Sequence, residues 1–161
     1  VKVFFVATAI AVAGFVTQAA QAQTQSVGVN ASATVSTACT VTTNPITFGE
    51  VSQSGDTNTN AILSATCTNG GAYALGIDNG LNELAGQRRL TSGSNALNYD
   101  LFRDPGHVER WGNTVGVDTI DDIGSGLAQN QTIWGEIPAG QTLISGNGTP
   151  YTDVVQVAIT Y

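Results

Sequence analysis

The sequence predicts an all-β domain, a sandwich or a barrel, on an exported chain. Three observations lead there. Beyond Ala22 no stretch shows the i, i+3, i+4 apolar period of a helix. Short runs of apolar–polar alternation recur instead, separated by Gly, Asn, Asp and Pro turn signals. The chain also opens on an apolar leader and carries two cysteines, Cys39 and Cys67, which suits an oxidising compartment.

The leader comes first. Lys2 precedes an apolar run over residues 3–16, too short to span a bilayer and the right length for a signal peptide. Small residues at Ala20 and Ala22 predict cleavage after Ala22, so residues 1–22 read as a signal peptide and no membrane span is expected after its removal. About 139 residues remain, the size of one domain.

Residues 26–41 alternate most strictly. Val27, Val29, Ala31, Ala33 and Val35 are apolar, and Ser26, Gly28, Asn30, Ser32, Thr34 and Ser36 between them are polar or Gly. That is a strand with one dry face and no hairpin partner close in sequence. The two cysteines lie 28 positions apart and read as one disulfide. The alternative, a metal site, usually needs three or four ligands.

Further strands follow at short intervals. Residues 45–49 (PITFG) read as a short strand ended by Gly, and residues 61–68 set Leu63, Ala65 and Cys67 against Ile62, Ser64 and Thr66. After the Asn69-Gly70-Gly71 turn, Tyr73, Leu75 and Ile77 share a face. A weak strand is expected around residues 88–91. Residues 96–103 place Leu97, Tyr99 and Leu101 together, and Asp104-Pro105-Gly106 turns the chain. Residues 107–114 suit a loop or short strand, and residues 115–130 read as a long connection. Ile133, Gly135 and Ile137 oppose Trp134. The final strand, residues 151–161, alternates Val155, Val157, Ile159 and Tyr161 with polar or small residues.

Charge narrows the function. Without Lys2, four arginines face twelve acids, so the mature part carries a formal −8 and no lysine. Such a surface repels nucleic acid and anionic membranes and serves solubility. No enzyme chemistry stands out. A Ser/His/Asp site would have to use His107, the only histidine, in a D-P-G-H turn with no G-x-S-x-G elbow anywhere. Asp118, Asp121 and Asp122 lack the twelve-residue calcium-loop pattern and read as a solvated loop. Glu83 with Glu136 or Asp100 is a carboxylate pair that any acidic β-protein offers. Arg88, Arg89, Arg103 and Arg110 suit ion pairs with Asp100, Asp104 and Glu109 better than an acidic patch on a neighbour. Trp111 and Trp134 suit core or interface packing better than sugar stacking. No catalytic residue, metal or cofactor is expected.

With these residues laid out, the sequence resembles the spore coat protein U domain family, which includes subunits of archaic chaperone–usher pili. The likeness runs through V-S-T-A-C-T-V at residues 35–41, P-I-T-F-G at 45–49, L-S-A-T-C-T at 63–68 and Y-A-L-G-I-D-N-G at 73–80. It continues through N-Y-D-L-F-R-D at 98–104, W-G at 111–112, G-E-I-P-A-G-Q at 135–141 and Y-T-D-V-V-Q-V-A-I-T-Y at 151–161. Two departures fall in loops: Asn113-Thr114 replaces the family's Asp-Gly, and residues 142–150 are longer than the family's pattern.

The resemblance implies an incomplete immunoglobulin-like β-sandwich lacking its last strand, with residues 39–161 as the body and residues 23–38 as an N-terminal donor-strand extension. It implies polymerisation by donor-strand exchange, with a periplasmic chaperone, an outer-membrane usher and other pilin subunits as partners. Val27, Val29, Ala31, Ala33 and Val35 would enter a neighbour's groove, edged by the strand carrying Val155, Val157, Ile159 and Tyr161. Export to the cell surface as a pilus subunit, with roles in adhesion and biofilm formation, follows from the same resemblance. The alternative is a free secreted carbohydrate-binding or adhesive β-sandwich module.

Overall fold

The structure, a computed structural model, describes residues 23–145 and 148–161. The predicted signal peptide lies outside those residues. The chain divides into two units, Val1–Thr34 and Val35–Tyr161.

In the second unit, nine strands are found among the described residues. They are β1 (Cys39–Thr43), β2 (Thr57–Cys67), β3 (Ala72–Ile77), β4 (Arg89–Ser92), β5 (Asn95–Asn98), β6 (Asp100–Phe102), β7 (Ile120–Ile123), β8 (Ala128–Ile137) and β9 (Val157–Thr160). All pairings are antiparallel. One sheet has the order β1-β2-β8-β6, the second β7-β3-β9, and β4-β5 form a hairpin. Among the described residues no helix is long and apolar enough to cross a membrane.

The core lies between the two larger sheets, as an immunoglobulin-like sandwich requires. Leu63, Ala65, Leu101, Ile133 and Ile137 come from the first sheet, and Tyr73, Leu75 and Ile77 from the second. The alternation predicted for residues 61–68 is observed: Ala61, Leu63, Ala65 and Cys67 are buried while Ile62 is exposed. β2 begins earlier than predicted because β8 pairs with it from Thr57 onward. The disulfide joins Cys39 to Cys67, directly opposite one another in the β1–β2 register. Trp111 is wholly buried, and its indole N–H donates to the Leu75 carbonyl at 2.9 Å. Trp134, on the outer face of β8, is half-buried.

Several expectations are corrected. Residues 96–103 are not one strand. β5 and β6 join different sheets and break at Tyr99, although Leu97, Tyr99 and Leu101 are all buried. Residues 115–130 are not one connection: they contain β7 and the start of β8, whose partners β3 and β2 supply ladders that local alternation does not reveal. Residues 45–49 form no ladder. Pro45 has no N–H to donate, and the Asn44 N–H to the Ile62 carbonyl (3.1 Å) is the last backbone bond on that side. β3 is buried on both faces from Tyr73 onward because the loop after Trp111 crosses it. A Cβ on Gly76 would stand 2.8 Å from the Asn113 Cα, so only glycine admits that approach.

Candidate functional site

Both larger sheets stop short on the same side of the sandwich. β1 ends one sheet and β9 ends the other, and neither has a further partner among the described residues. Their inward side chains are only half covered. Val41, Ile46, Phe48 and Val51 on one side, and Val155, Val157 and Ile159 on the other, pack on the core yet stay partly exposed. Two open edges flanking a row of uncovered aliphatics are a docking place for an extended chain.

The groove is not uniform. At one place β1 lies near β9. Away from it the walls part around a cavity of about 790 Å³. Ile46, Phe48 and Val51 form one wall, Tyr151, Asp153 and Val155 the other, over a floor of Leu90, Leu97, Tyr99 and Ile137.

Each wall is held by identifiable bonds. Gly135 in β8 lets the first wall sit low. A Cβ there would stand 2.8 Å from Ile46 Cδ1 and 3.0 Å from Phe48 Cζ. Phe48 then meets Tyr99 edge-on, with ring centroids 5.8 Å apart. The second wall hangs on Asp153. Its carboxylate accepts the Tyr99 hydroxyl at 2.8 Å and the backbone N–H of Asn82 at 3.1 Å. Burial and the bond to Asp153 push the Tyr99 phenol far above its ordinary range. Backbone bonds fasten the same wall: Thr91 and Thr152 exchange two, the Leu81 N–H donates to the Val154 carbonyl, and the Asp78 N–H donates to that of Gln156.

Beneath the wall lies a charge network. Arg88 has no exposed surface. Its guanidinium donates to the carbonyls of Asp78 (2.8 Å), Ile77 (2.9 Å) and Trp111 (2.6 Å), and to the Asp100 carboxylate (2.5 Å). Burial lowers its pKa, and the Asp100 charge opposes that shift. Arg110 closes on the other Asp100 oxygen at 2.7 Å. Arg103 pairs with Glu109 at 3.6 Å, and Arg89 donates to the Asn82 carbonyl. The expected ion pairs form at Arg88, Arg103 and Arg110, whereas Arg89 binds a carbonyl and Asp104 accepts backbone N–H groups instead of an arginine.

The remaining chemistry is quiet. His107 stands 3.5 Å from Glu136 and edge-on to Phe102. Asp118 accepts the Thr114 N–H, Asp121 the Thr119 hydroxyl, and Asp122 the Gln129 amide. Asp100 is held by two arginines and Glu83 accepts the Gly86 N–H. Among the described residues no group of three or more metal-ligating side chains converges.

The chain matches the Spore Coat Protein U domain over residues 23–158. It belongs to that family. It is 31% identical over 107 residues to Protein U of Myxococcus xanthus, a match covering 62% of this chain and 58% of the relative. The aligned part thus spans a little over half of that protein. Among solved structures, it is similar to a chain in the CsuC–CsuE chaperone–tip adhesion subunit pre-assembly complex from archaic chaperone–usher Csu pili of Acinetobacter baumannii. There the TM-score is 0.59 at 21% identity, over 80% of this chain and 40% of that one. At that identity the likeness speaks for the fold.

The predicted site residues fall as follows. Val155, Val157 and Ile159 are half-buried against the core, and Val155 also lines the cavity. Tyr161 does neither. It is 61% exposed and lines a separate shallow cleft with Tyr73 and Ile123, because the ladder ends at Thr160. Val27, Val29 and Val35 are 89%, 91% and 83% exposed, and Ala31 and Ala33 are exposed as well. Residues 23–38 are in no strand. Alternation sets which side chains share a face, but a strand needs a ladder, and these residues join none beyond the Ala38 carbonyl accepting the Thr68 N–H at 2.9 Å. Ile46, Phe48, Val51 and Leu90 were not singled out from the sequence as groove residues. The P-I-T-F motif was the available signal, but its role depends on Gly135, remote in the chain.

Proposed function

We propose that this protein is a non-enzymatic subunit of a chaperone–usher pilus, joined to its neighbours by donor-strand exchange. The observation that carries the reading is the pairing of an open apolar groove with an exposed alternating segment. The groove lacks one strand. Val27, Val29, Ala31, Ala33 and Val35 offer one, with its apolar face uncovered in the isolated chain.

Nine residues at ~3.4 Å each span roughly 30 Å of sheet edge. Burying three valines at ~1.5 kcal/mol each, with two alanines, contributes at least ~5 kcal/mol before ordering costs. Backbone pairing along two edges adds to it and gives the joint its direction. Family membership supports the assignment, as does the fold shared with the Csu complex, in which a chaperone accompanies a pilus subunit. By this reading the partners are a periplasmic chaperone that first fills the groove, an outer-membrane usher, and further copies or sister subunits. The chain is then displayed at the cell surface, where adhesion and biofilm formation are its expected roles.

The test is hydrogen exchange on assembled filaments and on the purified monomer. Amides of residues 27–35 should be protected in filaments and exchange freely in the monomer. Protection already complete in a stable monomer would mean that the segment serves its own fold, and the polymer reading would fail.

A further inference from the structure

β1 is one edge of the groove, and the alternating segment runs directly into it through residues 36–38. A segment so close in sequence can lie beside β1 only antiparallel, because a parallel neighbour needs a crossover of about a dozen residues. A subunit that filled its own groove would therefore need a hairpin turn near residues 35–38.

Register decides which face that hairpin would bury. In β1, Cys39 and Val41 pack on the core while Thr40 and Thr42 face solvent. Residues opposite one another in a ladder share a face. Val27, Val29, Ala31, Ala33 and Val35 thus turn inward only when they pair with odd-numbered residues of β1. A two-residue loop at Val35-Ser36 pairs Ala31 with Thr40 and Val29 with Thr42, which puts the apolar face into solvent. It would also ask a β-branched valine for the positive φ of a tight hairpin turn. A loop at Ser36-Thr37 has the same parity. The shortest loop with the right one is Ser36-Thr37-Ala38, which sets Val35 opposite Cys39 and Ala33 opposite Val41.

Two of those three loop residues are already held. The Ala38 carbonyl accepts the Thr68 N–H at 2.9 Å, and the Ala38 N–H donates to the Thr68 hydroxyl oxygen at 3.0 Å. Thr37 sits over Gly71, where a Cβ would stand 2.5 Å from Thr37 Cγ2. Gly124 braces the Thr68–Gly71 turn from behind. Its N–H donates to the Gly71 carbonyl at 2.7 Å, and its carbonyl accepts the Gly70 N–H at 2.8 Å. The line of β1 therefore continues through Ala38, and closing the three-residue loop would break both Ala38 bonds.

We infer that the connection is one residue too short for this chain to fill its own groove. The clamp on Thr37 and Ala38, together with the parity of residues 27–35, keeps the segment for a second copy of the chain. The inference rests on the strand-capture reading above and adds what bars self-capture.

One glycine inserted between Val35 and Ser36 removes the bar and leaves the clamp. Gly-Ser suits a type II′ turn, and it sets Val35 opposite Thr37, Ala33 opposite Cys39 and Ala31 opposite Val41. The experiment compares the full chain, this variant, a two-glycine insertion at the same point and a control with the glycine between Gln25 and Ser26. The two-glycine loop, Gly-Gly-Ser, gives the same pairing. Circular dichroism checks folding, hydrogen exchange reads the amides of residues 27–35 in the monomer, and anisotropy reads capture of a fluorescent peptide of residues 25–37. Wild type and control should exchange freely and capture the peptide. Both insertions at Val35 should slow exchange and weaken capture by about tenfold or more, because a tethered strand acts at roughly millimolar effective concentration. Insertion variants that exchange freely and capture the peptide as wild type does would overturn the inference and leave strand capture standing. Protected amides in the wild-type monomer would overturn it as well. Capture by none of the folded proteins, with no protection in any, would instead remove the strand-capture reading and this inference with it.

Discussion

Replacing Val29 with Asp should separate folding from assembly. In the isolated chain Val29 is 91% exposed, so the substitution removes no packing, and stability should stay within about 0.5 kcal/mol of wild type. On the donor-strand reading the same position would face aliphatic side chains in a neighbour's groove. Burial of the valine is worth ~1.5 kcal/mol and would be lost. The aspartate would then have to enter as a carboxylate or take up a proton. Protonation is the cheaper route. Raising an aspartate from its ordinary pKa of ~3.9 to neutrality at pH 7 costs ~4 kcal/mol. Together these remove ~5–6 kcal/mol, about four orders of magnitude in the joining equilibrium. The assay is co-expression with a chaperone and usher, followed by filament length in electron micrographs and the mass of heat-dissociated polymer. Chaperone-bound Val29→Asp subunit should accumulate at wild-type level with few or no filaments. Filaments of wild-type length would refute the donor role of this face.

Other substitutions probe the body. Asp100→Ala leaves the fully buried Arg88 without its counter-ion, and three remaining carbonyls do not neutralise it. The expected loss is ~3 kcal/mol, seen as a melting temperature lower by roughly 10 °C, and a change of under ~1 kcal/mol would count against the network. Cys39→Ser opens a loop of 28 residues and should cost about 3–4 kcal/mol in chemical denaturation, whereas titratable thiols in the wild-type protein would contradict the bond. Asp104 accepts N–H groups from Glu109, Val108 and Gly106, and the Glu109 bond chiefly holds its pKa below the ordinary 3.8. Its contribution is therefore present above that value and is lost as pH falls through the lower, folded one. The Val108 and Glu109 amide resonances should titrate with that lower midpoint, and an unshifted carboxylate midpoint would argue against the bonds. Tyr99 behaves in the opposite sense. Its raised pKa keeps the phenol neutral in the fold while the unfolded chain ionises near 10, so stability should fall as pH rises past 10. Tyr99→Phe should flatten part of that slope, and an identical slope would dissociate Tyr99 from it.

Much of the fold was legible where the signal is local. Burial of alternate residues in β2 follows from a period of two, and the Asn69-Gly70 turn follows from the positive φ that Gly70 adopts. The Cys39–Cys67 bond followed from cysteine count and export. The exposed valines of residues 27–35 were legible for the same reason, as a face that is apolar with no local partner.

Tertiary structure decided what depends on a distant neighbour. Residues 45–49 and 96–103 both read as strands, yet one forms a wall without a ladder and the other splits between sheets. The difference lies in which backbone stands alongside. Tyr161 continues the alternation of β9 but escapes the groove, because the ladder against β3 has already ended. Gln141 meets Asn98, 43 positions away, and the low wall depends on a glycine in β8 beneath Ile46 and Phe48. By itself the sequence determined that the chain is all-β, disulfide-bonded and furnished with an alternating segment that has an apolar face. Where two sheet edges are left open and how wide the gap between them is are set by contacts between residues far apart in the chain. Periodicity along the chain carries no record of those contacts.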